Sequence, residues 1–169
     1  TQILPMLLNL LLLPGSRRKE VELNLPPMIE AARLVASQRP CEFLLPAAPG
    51  LATDWLKRQL GDFATRVRLT RGQFHDTVAH ARAAIVASGT ASTETAILGT
   101  PMVIVYRVSR LSWLLGRRLV DVPYFSIVNL VAGREAVPEL IQDRFTGPGV
   151  AAELAKLLDD GEPRSAMLQ

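Results

Sequence analysis

Histidine and cysteine are nearly absent from this chain, and each shortage removes a class of function. The one cysteine, Cys41, cannot close an internal disulfide, which groups the chain with proteins of reducing compartments. The two histidines, His75 and His80, are not spaced to share an i, i+4 helical face and have no cysteine partner for a zinc site, so both read as structural or solvated. Asp-x-Asp is missing, and the two loops singled out below are neither Gly-Lys-Ser/Thr nor GxGxxG. Those gaps argue against a metal-chelated diphosphate, a P-loop and an NAD site, so no metal and no cofactor is called for. Long apolar runs are also lacking. The stretch from Ile3 to Leu13 is broken by Pro5 and Asn9 and falls short of the roughly 20 residues of a spanning helix. It has no basic flank of a secretory signal either.

What is present suits one folded domain: 169 residues, 49% hydrophobic and 21% charged. The net charge of +3 fits a phosphate-bearing ligand or an anionic membrane surface and is too small to argue for nucleic acid. Short apolar runs alternate with helical patterns. Strands are expected at Leu8–Leu13, Glu42–Leu45, Arg66–Leu69, Ala84–Ala87 and Met102–Tyr106. Helices are expected at Glu20–Ser37, Thr53–Leu60, Phe74–Ala81, from Ser88-Gly89-Thr90 to Leu98, Ser109–Val120 and Val150–Leu158. Pro26-Pro27 should kink or restart the first of these. Gly99 and Pro101 should end the helix before them. Strands that are apolar throughout are buried on both faces, so the expected fold is α/β: a Rossmann-like parallel sheet flanked by helices on both faces. Residues 1–9 read as a linker stub, 10–160 as the binding domain and 161–169 as a frayed tail.

In such sheets ligands bind beyond the carboxyl ends of the strands. Two loops stand there. In Pro14-Gly15-Ser16-Arg17-Arg18, Gly15 lets the backbone approach a ligand and Ser16 can cap the next helix. Arg17 and Arg18 add forked donors for phosphate. In Ser88-Gly89-Thr90-Ala91-Ser92-Thr93-Glu94, small and hydroxyl residues again open a helix, whose N-terminus favours an anion. Glu94, about one turn inside, can accept two hydrogen bonds from a ribose diol. Each loop alone also reads as a capped turn, with Glu94 as a capping residue. Together they suit a nucleoside diphosphate, its charge met by dipoles and arginine.

Three stretches, Leu12–Glu22, Ala87–Ser109 and Val122–Asp143, resemble the C-terminal half of GT-B glycosyltransferases and more narrowly the lipid-A-disaccharide synthases. The resemblance implies an inverting, metal-independent transfer of 2,3-diacylglucosamine from its UDP derivative to 2,3-diacylglucosamine 1-phosphate. It implies a cytoplasmic site peripheral to the inner membrane, an acceptor-binding N-terminal domain outside this chain, and compatibility with a homo-oligomer. A chain without that domain is expected to bind UDP weakly and to transfer little. By residue, Arg17 matches the family arginine that approaches the diphosphate, with Gly15 and Ser16 expected beside it at the nucleotide sugar; Ser88, Gly89 and Thr90 match the phosphate loop, and Glu94 the ribose carboxylate. Asn129 matches an asparagine needed for activity, and Gly133, Arg134 and Glu135 are expected to line the cleft, although Arg134-Glu135 also reads as a surface ion pair. Another UDP-sugar enzyme, such as a hexosamine transferase or 2-epimerase, and a non-catalytic nucleotide-binding module remain alternatives. In Arg107–Val122, the set Arg110, Trp113 and Arg117 could lie on a membrane. Core packing of Leu111, Leu114, Leu115 and Leu119 is the favoured expectation there.

Overall fold

The computed structural model describes residues 7–118 and 121–169. Six parallel strands form one sheet: β1 (Leu8–Leu13), β2 (Cys41–Pro46), β3 (Val67–Thr70), β4 (Ala83–Ala87), β5 (Met102–Tyr106) and β6 (Glu139–Ile141). They lie in the order β3-β2-β1-β4-β5-β6, that of a doubly wound nucleotide-binding sheet. Three helices cover one face, α1 (Arg18–Ala36), α2 (Thr53–Leu60) and α7 (Gly147–Ala155). The other face carries α3 (Phe74–Ala79), α4 (Thr90–Ile97) and α6 (Ile127–Ala132). Alternate strand residues divide between the two cores: Leu10, Leu12, Ile85 and Val103 pack toward α1, and Leu11, Leu13, Val86 and Ile104 toward α3 and α4. This is the expected α/β arrangement, and it explains why the strand sequences show no polar alternation.

The prolines do not break α1, which runs unbroken from Arg18 to Ala36. Each interior proline costs about 3 kcal/mol, so the pair costs about 6. Burying Val21, Leu25, Met28 and Val35 against the sheet stabilises the helix by about 1.5–3 kcal/mol each, about 6–12 in all, which offsets that cost.

Four further departures have local causes. Strand β1 begins at Leu8, and Leu8 and Asn9 pair with Cys41 and Glu42, so pairing extends into the stretch expected as linker. Residues 1–6 lie outside the described residues. At the other end, residues expected to fray form α8 (Glu162–Met167). Arg164 donates to the carbonyls of Arg82 (2.6 Å) and Leu157 (3.1 Å), and the Met102 N–H meets Met167 Sδ at 3.3 Å. Third, α6 and β6 had no sequence signal. α6 turns Ile127, Leu130 and Val131 to solvent, which hides its periodicity, and β6 has only three residues.

The fourth departure is the helix after β5, α5 (Arg110–Gly116), none of whose residues is buried. Leu111, Leu114 and Leu115 are 67%, 48% and 59% exposed, so the expected core packing is wrong for them. The sheet faces beside β5 are already occupied by α4 on one side and α7 on the other. Leu119 and Val120 lie outside the described residues.

Candidate functional site

Strand order reverses between β1 and β4, which are hydrogen-bonded neighbours. Leu13 is in register with Val86, so the loops beginning at Pro14 and Ser88 leave adjacent strands at one edge of the sheet. A crevice at this position is where doubly wound folds bind ligands.

In the first loop, Gly15 has φ of +122° and an added Cβ would stand 2.5 Å from Glu20 Oε2, so only glycine fits. That carboxylate oxygen accepts from the N–H groups of Ser16 (3.0 Å) and Arg17 (3.3 Å). The expectation that Ser16 caps the helix is therefore corrected: Arg17 is the N-cap residue, and Glu20 satisfies the loop N–H groups expected to face an anion. Arg18 lies 5.2 Å over the Trp55 ring. The side chains of Ser16 and Arg17 are both exposed at this loop. Asn24, fully buried, donates to the Pro14 carbonyl (3.1 Å) and accepts from the Arg107 N–H (3.0 Å). It fastens the first loop to the segment after β5.

In the second loop, the Ser88 N–H extends the sheet by donating to the Val105 carbonyl (2.9 Å). Gly89 has φ of +152°, and the buried Ser92 hydroxyl donates to its carbonyl (2.6 Å). Ser92 thus braces the turn, and Thr90 opens α4 exposed at the rim. Glu94 lies one turn in, with its side chain 37% exposed and Oε2 3.1 Å from His75 Nε2. His75, expected to be structural or solvated, therefore faces the candidate ribose carboxylate from the start of α3. His80 Nδ1 lies 2.8 Å from its own helix's Asp76 carbonyl.

Sequence reasoning passed over Arg107, Val108 and Gln142, which build the rest of the rim. Gln142 is buried with φ of +54°, a strained conformation for this residue. Its amide accepts from the Val108 N–H (3.0 Å) and donates to the Val108 carbonyl (2.9 Å). The Arg107 guanidinium donates to the Phe145 carbonyl and stacks on that ring at 5.2 Å. Beside them a cavity of about 340 Å³ is lined by Ser109, Arg110 and Asp143 as well. The usable signal was position: Arg107 follows an apolar strand at its carboxyl end.

The third stretch is placed differently from expectation. Asn129 is fully buried. Its Nδ2 donates to the Val137 carbonyl (2.8 Å) and to Glu139 Oε1 (2.8 Å), and its Oδ1 accepts from the Val137 N–H (3.0 Å). With both ends of the amide engaged, it ties α6 to β6. Glu139, missed in the sequence, is the hub. It accepts from the Phe125 N–H (2.8 Å), the Ser126 N–H (2.9 Å), the Ser126 hydroxyl (2.5 Å) and Asn129. Burial works against its ionisation, but the bonds from Ser126, Phe125 and Asn129 prevail and hold the carboxyl below its ordinary range. Gly133 ends α6 with φ of +65°. Gly133, Arg134 and Glu135 are exposed and precede β6. They stand at the entry to a strand and not among the loops that follow strands.

The fold is shared with sugar-handling proteins. CalG4, the calicheamicin glycosyltransferase, superposes with a TM-score of 0.61 at 19% identity, covering 99% of this chain and 38% of that one. A Listeria monocytogenes protein provisionally assigned as a UDP-N-acetylglucosamine 2-epimerase gives a TM-score of 0.66 at 16% identity, covering 98% and 40%. At that identity the likeness defines an architecture, the Rossmann-like half of a GT-B fold. Sequence narrows it: a family model, lipid-A-disaccharide synthetase, matches residues 4–167, and the chain belongs to that family. The lipid-A-disaccharide synthase of Koribacter versatilis is 47% identical over 159 residues, and that of Syntrophus aciditrophicus 46% over 158. These alignments cover 94% and 92% of this chain, which spans about 41% of the length of each relative.

Proposed function

We propose that this chain is the UDP-sugar-holding part of a lipid-A-disaccharide synthase. The observation that carries the reading is the adjacency of β1 and β4, with Leu13 opposite Val86, which sets the loops bearing Arg17 and Thr90 side by side at the switch point. Arg17 supplies a forked cation for the diphosphate. The first turn of α4 supplies N–H groups without intrahelical partners and the positive end of its dipole. Glu94 accepts from the ribose hydroxyls. In the transfer, the acceptor sugar hydroxyl attacks the anomeric carbon of UDP-2,3-diacylglucosamine opposite the diphosphate, the bond to UDP breaks, and the hydroxyl proton passes to a base outside these loops. Charge gathering on the departing UDP is what Arg17 and the α4 terminus stabilise. The acceptor is 2,3-diacylglucosamine 1-phosphate, bound with help from a second domain, and the work takes place at the cytoplasmic face of the inner membrane. Asn129 acts through Glu139 and Ser126 as a positioning residue.

Calorimetric titration of UDP into the 169-residue chain tests the site. Glu94→Gln should weaken binding about 10-fold or more, the loss of charge-assisted bonds to a diol, and Arg17→Ala should weaken it in the same direction. UDP binding as tight in both variants as in the unaltered chain would remove these loops from the site. A panel of UDP-sugars in thermal shift separates a diacylglucosamine donor site from that of another UDP-sugar enzyme.

A further inference from the structure

We propose that His75 is a positioning residue for the nucleotide: its imidazole holds the Glu94 carboxylate in the orientation that receives the ribose hydroxyls. The inference rests on the nucleotide site proposed above and adds to it a residue that neither candidate loop contains. α3 begins just after β3, so its first turn stands at the same edge of the sheet as the start of α4, and the two helices pack side by side. His75 Nε2 lies 3.1 Å from Glu94 Oε2 across that seam, from 19 positions away in sequence. A carboxylate only accepts, so Nε2 carries the proton and donates. The imidazole is itself braced. It meets the Phe74 ring edge-on, with centroids 5.6 Å apart and planes at 70°, and Phe74 packs on the core beneath α3.

Two observations separate this contact from a casual surface pair. Glu94 has no capping duty, because the turn that opens α4 is closed by Ser92. The Ser92 hydroxyl accepts from the Gly89 N–H (3.3 Å) and donates to the Gly89 carbonyl (2.6 Å). Among the described residues, His75 is also the sole hydrogen-bond partner of the Glu94 carboxylate. A partly exposed glutamate samples several rotamers, and a ligand that needs one of them must select it at an entropic cost. The histidine makes that selection before the nucleotide arrives. It does so without exhausting the acceptor: a carboxylate offers about four lone-pair sites, the imidazole takes one, and two ribose hydroxyls need two more. His75 touches no reacting atom in this scheme and acts through Glu94 alone.

The test is an NMR shift titration of the 169-residue chain with UDP and with 2′,3′-dideoxyuridine diphosphate, which has no ribose diol for Glu94. His75→Ala should weaken UDP binding about fivefold, the order of one exposed hydrogen bond to a charged group, and leave the dideoxy nucleotide unchanged. A loss of fold would weaken both. His75→Gln, whose amide can donate from a similar position, should recover UDP affinity. In a Glu94→Ala background, His75→Ala should have no further effect. The proposal is overturned if His75→Ala binds UDP like the parent, if it weakens both nucleotides equally, or if His75→Gln is no better than His75→Ala. Where Glu94→Ala still loses affinity, each of those results leaves the nucleotide site standing without His75. If instead Glu94→Ala binds UDP like the parent, or the parent does not bind UDP, the ribose site falls and the role of His75 with it.

Discussion

Replacing Glu139 by glutamine tests whether a charged hub, and not apolar packing alone, holds α6 on the sheet. The carboxylate accepts four hydrogen bonds, from the N–H groups of Phe125 and Ser126, the Ser126 hydroxyl and the Asn129 amide. The glutamine carbonyl can keep the Oε1 partners without the charge. Its amide nitrogen then faces the Phe125 N–H, donor against donor. A bond to a charged group contributes about 1.5–3 kcal/mol and a neutral one about 0.5–1.5. Phe125 is partly exposed, so water can take up its orphaned N–H. Solvent screens the partly exposed carboxylate and discounts each of these bonds, which leaves a loss of about 2–3 kcal/mol at neutral pH. The pH dependence has a definite sign. The folded carboxyl titrates below its ordinary value, so its stabilisation is complete above the unfolded value, about 4.3, and is lost as pH falls through the folded value. Urea unfolding of the two chains, followed by circular dichroism from pH 7 downward, should show a gap that is full at pH 7 and closes in acid. A gap that stays constant into acid, or none at pH 7, would refute the hub.

Two further substitutions probe the rim. Gly15→Ala places a Cβ against the Glu20 carboxylate in a left-handed conformation. It should cost about 2 kcal/mol in urea unfolding and expose the Ser16 and Arg17 amides to faster hydrogen exchange. Asn24→Ala leaves the buried Arg107 N–H and Pro14 carbonyl without their side-chain partners, a loss of about 1–3 kcal/mol, and should broaden the amide resonances of residues 107–109 while those of β2 stay sharp.

The parts of this protein that were legible in the sequence are those set by local chemistry. Met102–Tyr106 reads as a buried strand because every residue is apolar, and Thr53–Leu60 as a helix; both fall where expected. Pro14-Gly15 and Ser88-Gly89 mark strand ends without reference to anything distant, so the rim loops could be placed from sequence. What was lost depends on partners far along the chain. Glu139 looks like any surface glutamate until Ser126 and Asn129 are brought beside it. Asn24 looks like a polar intrusion in α1 until Arg107 arrives from 83 positions away. Leucine periodicity after β5 predicted burial because a helical stripe reports that a face exists, not what covers it. The same limit applies to Asn129. Family resemblance marked it as needed for activity, and the fold shows how a residue can be needed with its amide wholly engaged by Val137 and Glu139. An Asn129→Ala chain would then lose function by freeing the segment from Phe125 to Glu139. Its defect should follow that of Glu139→Gln in both stability and UDP affinity, and not that of Glu94→Gln, which loses affinity with its fold intact.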